Sequence, residues 1–138
     1  MPSLAALNVG DEVAARSFHL TRDSLVRYAG ASGDFNPIHY RDDIAAAVGL
    51  PGVLAHGMLT MGLSIQPVVD WAGGAEHVVD YGVGFTRPIV VDPVDGAEVA
   101  VSAKVGAIEA EAGRVRIDIT TTYQEATVLG KAQAWVQL

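Results

Sequence analysis

In the second half of the chain, apolar residues fall on every other position in four successive stretches. Val79, Tyr81, Val83 and Phe85 share one parity, as do Val99, Val101, Ala103 and Val105. Val115, Ile117, Ile119, Thr121 and Tyr123 form a third set, opposed by Arg114, Arg116, Asp118 and Thr120, and Val128, Ala132, Ala134 and Val136 form a fourth. A period of two predicts strands, and the polar residues on the opposite parity predict a sheet with one apolar face. Asp92-Pro93 with Asp95-Gly96, then Glu111 to Gly113, then Glu125 to Thr127 supply turns. They are too short for helical crossovers, so the strands pair as antiparallel hairpins.

The first half carries a longer period. A strand candidate from Glu12 to His19 precedes Thr21, a good N-cap residue, with Asp23 in the first turn and Leu25, Tyr28 and Ala29 on one face. Gly30 to Gly33 closes this helix. A second short helix is predicted from about Asp42 to Val48, stopped by Gly49 and Pro51. A third runs roughly from His56 to Trp71, apolar nearly all round, and ends at Gly73-Gly74. Such a helix needs cover on several sides. The simplest architecture is therefore α+β, a curved antiparallel sheet wrapped around the long apolar helix. The sheet keeps open edges, which predicts a dimer.

Composition narrows the function. The 138 residues fit one domain over 1–138, half are hydrophobic and only 18% are charged, so part of the surface is expected to face a partner. A formal charge of −7 gives the wrong field for nucleic acid or an anionic membrane. The absence of cysteine excludes disulfides, thiolate metal sites and thiol nucleophiles. Met1 to Leu7 lacks the pattern of a signal peptide, and a cytoplasmic location is expected. The apolar stretch Met58 to Ala72 contains Gln66, Pro67 and Asp70 and falls short of a membrane span.

Asp34 and His39 stand five apart in Asp34-Phe35-Asn36-Pro37-Ile38-His39. Pro37 bars the first helix from continuing through this segment and Asn36 suits a turn, so the two side chains can converge. A carboxylate beside an imidazole supplies acid and base groups tunable around neutrality. As a bare pair, a capping Asp34 and a packed His39 would be the commoner reading. That reading weakens because Ala55-His56-Gly57-Met58-Leu59 follows at the start of the buried helix. A helix N-terminus presents unpaired N–H groups, and Gly57 lets a carbonyl oxygen approach them. His56 is expected to hydrogen-bond within the loop and shape this oxyanion site. His19 and His77 have no partners at metal-ligand spacing, and no metal is expected.

The two motifs, in this order and at this spacing, resemble the MaoC-like hydratase and dehydratase family. The resemblance covers essentially the whole chain, including Val9-Gly10-Asp11, Phe18-His19-Leu20-Thr21 and the tract Val83 to Val91. Gly33 to His39 and Ala55 to Gly62 most resemble the catalytic B subunit of actinobacterial (3R)-hydroxyacyl-acyl-carrier-protein dehydratase, with (R)-specific enoyl-CoA hydratases nearby. The resemblance implies the hot-dog fold and a hydro-lyase acting on enoyl or 3-hydroxyacyl thioesters of coenzyme A or acyl carrier protein, in fatty-acid or related acyl-chain metabolism. It implies Asp34 and His39 as the acid/base pair, Asn36 holding the loop or the substrate, and the Gly57 amide polarising the thioester carbonyl. Some hydratases of the family place a serine on the long helix near the catalytic Asp, a place that falls at Ser64 or Ile65. No cofactor is implied beyond the carrier that bears the acyl group.

Tyr28, Val53, Leu54, Met58 and Met61 are candidate walls for an acyl chain, and Arg87 and Arg41 candidate contacts for the carrier's phosphates, although core and salt-bridged roles are commoner for such residues. The expected partners are the acyl thioester, an acyl carrier protein, and a second subunit, either a copy of this chain or a related hot-dog subunit. Two rival readings are a thioesterase, against which the paired His39 argues, and a non-catalytic acyl-binding subunit, against which the intact Asp34, Asn36 and His39 argue.

Overall fold

In a computed structural model, which describes residues 1–138, each alternating stretch becomes a strand. The elements in chain order are β1 (Glu12–Leu20), α1 (Arg22–Ser32), α2 (Asp42–Ala47), α3 (Gly57–Ala72), β2 (Val78–Phe85), β3 (Ala97–Glu109), β4 (Arg114–Tyr123), β5 (Ala126–Thr127) and β6 (Leu129–Gln137). The long strands make one antiparallel sheet in the order β1-β3-β4-β6-β2, and the short β5 folds back onto β4. Val99, Val101, Ala103 and Val105 of β3, Val115, Ile117 and Ile119 of β4 and Ala132, Ala134 and Val136 of β6 point to one side and belong to a core cluster of 21 buried residues. Helix α3 crosses that side and packs on all five long strands. This is the hot-dog arrangement, a sheet curled around one helix.

The local signals act as chemistry requires. Thr21 caps α1 through its side chain in a reciprocal box with Ser24, and Gly33 ends the helix at φ 78°. Asp92 Oδ1 accepts from the amides of Val94 and Asp95, both at 2.8 Å, and so forms the turn into β3. Arg22 ties three segments together. Its Nε donates to the Val91 carbonyl at 2.7 Å and its two terminal nitrogens grip the Asp42 carboxylate at 3.0 and 2.9 Å. The Arg22 hydrogen bond holds the Asp42 carboxyl below the usual carboxylate range.

Three details differ from the pattern in the sequence. Helix α3 is covered on one face only: Thr60, Ser64, Pro67, Val68 and Ala72 are buried, whereas Met58 is 58% exposed and Gly62, Gln66 and Asp70 face outward. One sheet closes around one side of the helix and leaves the other side exposed. In β2 a register shift between Val78 and Asp80 turns Val79 out, and Val78 packs on the core instead. In β6 a bulge near Gly130 interrupts the parity, so that Val128 and Leu129 are both buried before Ala132 resumes the pattern. Tyr81 anchors the edge strand by donating its hydroxyl to the Met61 carbonyl at 2.8 Å, and burial pushes its pKa up to about 12, keeping it neutral. No helix is long and apolar enough to cross a membrane.

Candidate active site

The segment from Asp34 to His39 is held by bonds that begin within it. Ser32 Oγ accepts from the Asp34 amide at 3.1 Å, Asp34 Oδ1 accepts from the Asn36 amide at 3.2 Å, and Asn36 Oδ1 accepts from the Ile38 amide at 3.2 Å. Asn36 thereby caps a single 3-10 turn, Pro37–His39, whose first position suits proline because no amide is needed there. The segment is then pinned to the sheet side. Leu54 N donates to the Ile38 carbonyl at 3.1 Å, and residues 53–55 pair with 89–91 through Ala55 N to Ile89 O and Val91 N to Val53 O, each 2.9 Å.

The same stretch orients the His39 ring. His39 Nδ1 lies 2.6 Å from the Leu54 carbonyl, which can only accept. Nδ1 therefore carries the proton, and in the neutral ring Nε2 presents its lone pair. That Nε2 faces Asp34 Oδ2 at 4.0 Å. The gap is too long for a direct hydrogen bond and wide enough to take an oxygen atom bonded to both. His39 is almost buried and the Asp34 side chain is half-exposed, so the pair spans the boundary between core and solvent.

His56 closes the arrangement from beneath. Its ring is 1% exposed, stacks on His39 with centroids 3.9 Å apart at 23°, and meets the ring of Tyr28 edge-on at 4.7 Å. Nε2 donates to the Asp34 carbonyl at 3.2 Å, which leaves Nδ1 as a buried lone pair with no partner. Leaving such an atom unpaired costs about 1–3 kcal/mol. Burial lowers the His56 pKa, the bond to the Asp34 carbonyl opposes this, and the nearby His39 lowers it further. The ring is thus neutral.

Asp34, His39 and His56 bring ligand atoms within 4.8 Å of one another, a donor set that a divalent metal accepts. The ring geometry does not suit it. Zinc sits about 2.0–2.1 Å from nitrogen along an in-plane lone pair, and two imidazoles stacked at 3.9 Å and 23° do not aim those lone pairs at one point.

A cavity of about 330 Å³ opens beside His39, lined also by Leu54, Gly57, Thr60, Phe85 and Arg87. Gly57 is the first residue of α3, whose opening amides have no acceptor within the helix and no side-chain cap. A Cβ at Gly57 would stand 3.0 Å from the Phe85 ring, so the main chain is approached closely from this side. His39 and the opening amides of α3 at Gly57 therefore border one space, with Asp34 facing His39 at 4.0 Å.

The other candidates lie elsewhere. Ser64 is fully buried, with Oγ donating to the Thr60 carbonyl at 2.8 Å and paired with Thr121 Oγ1 at 2.7 Å, and it does not line the cavity. It holds α3 to β4. Arg41 is paired with Asp43 and His19 with Glu98, while His77 bonds the Gln137 carbonyl. Of the proposed acyl walls, Leu54 lines the cavity, Val53 is core, and Met58 is exposed. The periodic pattern gives no hint of the Leu54 carbonyl as orienter of His39, of Tyr28 against His56, or of Phe85 against Gly57. Backbone acceptors and cross-element contacts leave no mark on sequence spacing.

A sheet curled around one helix, with an Asp–His pair before that helix and a glycine at its head, defines a protein of the hot-dog class. Residues 5–128 match the family described as MaoC like domain, and the chain belongs to that family. It is 33% identical over 86 residues to 3-hydroxyacyl-thioester dehydratase X of Mycobacterium tuberculosis, covering 62% of this chain and 30% of that protein. With 3-hydroxyacyl-thioester dehydratase Z of the same species it shares 28% over 107 residues, 76% of this chain and 71% of the relative. A solved structure of a MaoC-like dehydratase superposes with a TM-score of 0.96 at 35% identity, covering 99% of this chain and 42% of that one. The chain thus spans less than half the length of dehydratase X and of that solved chain.

Proposed function

We propose that this chain is a hydro-lyase that interconverts trans-2-enoyl and (3R)-3-hydroxyacyl thioesters of coenzyme A or acyl carrier protein, through one MaoC-like domain over residues 1–138. The observation that carries the reading is the bare Nε2 of His39, which lines a cavity together with Gly57, facing Asp34 Oδ2 at 4.0 Å. The dehydratase names of relatives X and Z support it.

In the dehydration direction the thioester carbonyl lies against the Gly57 amide, where the helix N-terminus stabilises enolate charge. His39 Nε2 takes the proton from C2, and the C3 hydroxyl leaves as water with a proton supplied by Asp34 or by a water that Asp34 holds. Hydration runs the same steps in reverse. Each turnover leaves the pair's proton on the opposite partner, and an oxygen in the 4.0 Å gap returns it. Water is the only co-substrate, and no cofactor is needed beyond the substrate's carrier. Asn36 shapes the loop through its bond to Ile38.

The half-covered face of α3 and the open edges at β1 and β2 support association with a second hot-dog subunit, identical or related. Mass in solution, measured beside activity, tells the two apart: a homodimer active alone, or a chain that needs a partner.

The test is hydration of crotonyl-CoA by the wild type, Asp34→Asn and His39→Ala, with release of free thiol followed in parallel. Each substitution should cost several orders of magnitude in kcat while the fold is kept. Near-normal turnover by either variant would overturn the reading, and thiol release without hydration would convert it to a thioesterase.

A further inference from the structure

The thioester's carrier is anionic, and this chain has a net charge of −7, so any phosphate must be met by cations left free for it. Most are not free. Arg16, Arg22, Arg41, Arg114 and Arg116 are each paired with a carboxylate. Arg27, Arg87, Lys104 and Lys131 have no such partner, and of these Arg87 lines the cavity that holds His39 and Gly57. Lys131, also without a carboxylate, lines a second cleft of about 580 Å³ with Val83, Gly84 and Gly130. Thr86 lines both, so the two clefts adjoin.

The backbone at this junction is specially built. Thr86 and Arg87 both donate their amides to the Val128 carbonyl, at 3.2 and 3.4 Å, which locks the end of β2 beside the start of β6. Three residues further on, β6 bulges. Gly82 pairs with Gln133 and Gly84 with Gly130, so Lys131 and Ala132 together oppose Val83. Lys131 itself sits at φ 45°, a left-handed conformation that a lysine adopts only against a cost. A bulge of this kind re-aims a side chain. At Gly130, a Cβ would come within 2.8 Å of the Thr86 methyl, so glycine keeps the junction from closing.

Taking the thioester reading above as its basis, we propose that Arg87 and Lys131 form the phosphate-binding track for the substrate's carrier. It leads from the thioester at His39 and Gly57, past Thr86, to the second cleft. The pantetheine arm lies along the junction and its phosphate rests between the two cations. The same chemistry comes from two sources: the 4′-phosphate of phosphopantetheine, shared by coenzyme A and a carrier protein, or the nucleotide phosphates that only coenzyme A has.

The experiment is calorimetric titration of the purified chain with pantetheine, 4′-phosphopantetheine and coenzyme A, in the wild type, Arg87→Gln, Lys131→Gln and Arg41→Gln. Adding phosphate to pantetheine should tighten binding, and each of the first two substitutions should remove about tenfold of that gain. Pantetheine binding itself should not change. Arg41→Gln, whose guanidinium is already paired with Asp43, should behave as wild type. Loss with 4′-phosphopantetheine assigns the 4′-phosphate, and loss with coenzyme A alone assigns the nucleotide phosphates. Equal affinity of wild type and variants for all three ligands, equal loss of pantetheine binding, or equal loss in Arg41→Gln overturns the track. Because binding is read without turnover, hydration by the same preparations separates failure of the track from failure of the hydro-lyase reading.

Discussion

The ring of His56 lies parallel to that of His39, 3.9 Å away at 23°, with its own Nδ1 buried and unbonded. A packed apolar side chain would remove that unpaired atom, so stability alone does not account for the histidine. Its contacts are the stack on His39, the edge of Tyr28 and the bond from Nε2 to the Asp34 carbonyl. His56→Leu is expected to keep thermal stability within about 1 kcal/mol of wild type while kcat drops at least tenfold. His56→Gln, whose amide can still reach the carbonyl, should recover part of the turnover. A Tm and kcat that fall together in both variants would show a purely structural role.

The same ring makes a pH prediction. Burial depresses the His56 pKa in the folded chain below 6.5, so the unfolded chain binds this proton first as pH falls. Its contribution is fully present above 6.5 and is lost as pH falls from there through the folded pKa. The slope of unfolding free energy against pH in this window should be shallower in His56→Gln than in wild type. Denaturant titrations at several pH values measure it, and equal slopes would contradict the neutral ring.

Gly57→Ala should keep the fold, since alanine is well suited to a helix and Gly57 does not adopt a left-handed conformation. The new methyl meets the Phe85 ring at 3.0 Å and must push it. Phe85 is more than half exposed and lines the cavity, so it gives way at the substrate's expense. An increase of about tenfold in KM is expected, relieved by adding Phe85→Leu. A KM unchanged in Gly57→Ala would remove Gly57 from the binding surface.

Ser64→Ala should act on stability and leave kcat alone. It strands the buried Thr121 hydroxyl, whose partner at 2.7 Å is Ser64, at a cost of about 1–3 kcal/mol. The double variant with Thr121→Val should recover most of that loss. A fall in kcat larger than the fall in Tm explains would bring Ser64 back into the site.

Asn36→Ala removes the acceptor of the Ile38 amide and should cost about 1 kcal/mol together with a several-fold loss of kcat. Asn36→Ser restores an acceptor oxygen and should recover stability first. Recovery of neither would mean that Asn36 acts on the substrate rather than on the loop.

The sequence alone determined what is local. Alternation of apolar residues from Val99 to Val136 marked three core strands, because a strand that buries one face must place its apolar residues two apart. Thr21, Gly33 and Gly73 marked helix ends through caps that involve only neighbours. Asp34, Asn36, His39 and Gly57 stood out as candidates because residue type, spacing and the start of a helix together restrict the chemistry. Tertiary structure decided the rest. Val78 rather than Val79 faces the core and Lys131 sits on a bulge because register depends on the partner strand, not on parity. The proton on His39 Nδ1 is set by the carbonyl of Leu54, fifteen residues away. Ser64 turns to Thr121, 57 residues on, because a buried hydroxyl goes where a partner is. Such contacts join segments that the chain separates, and no period in the sequence records them.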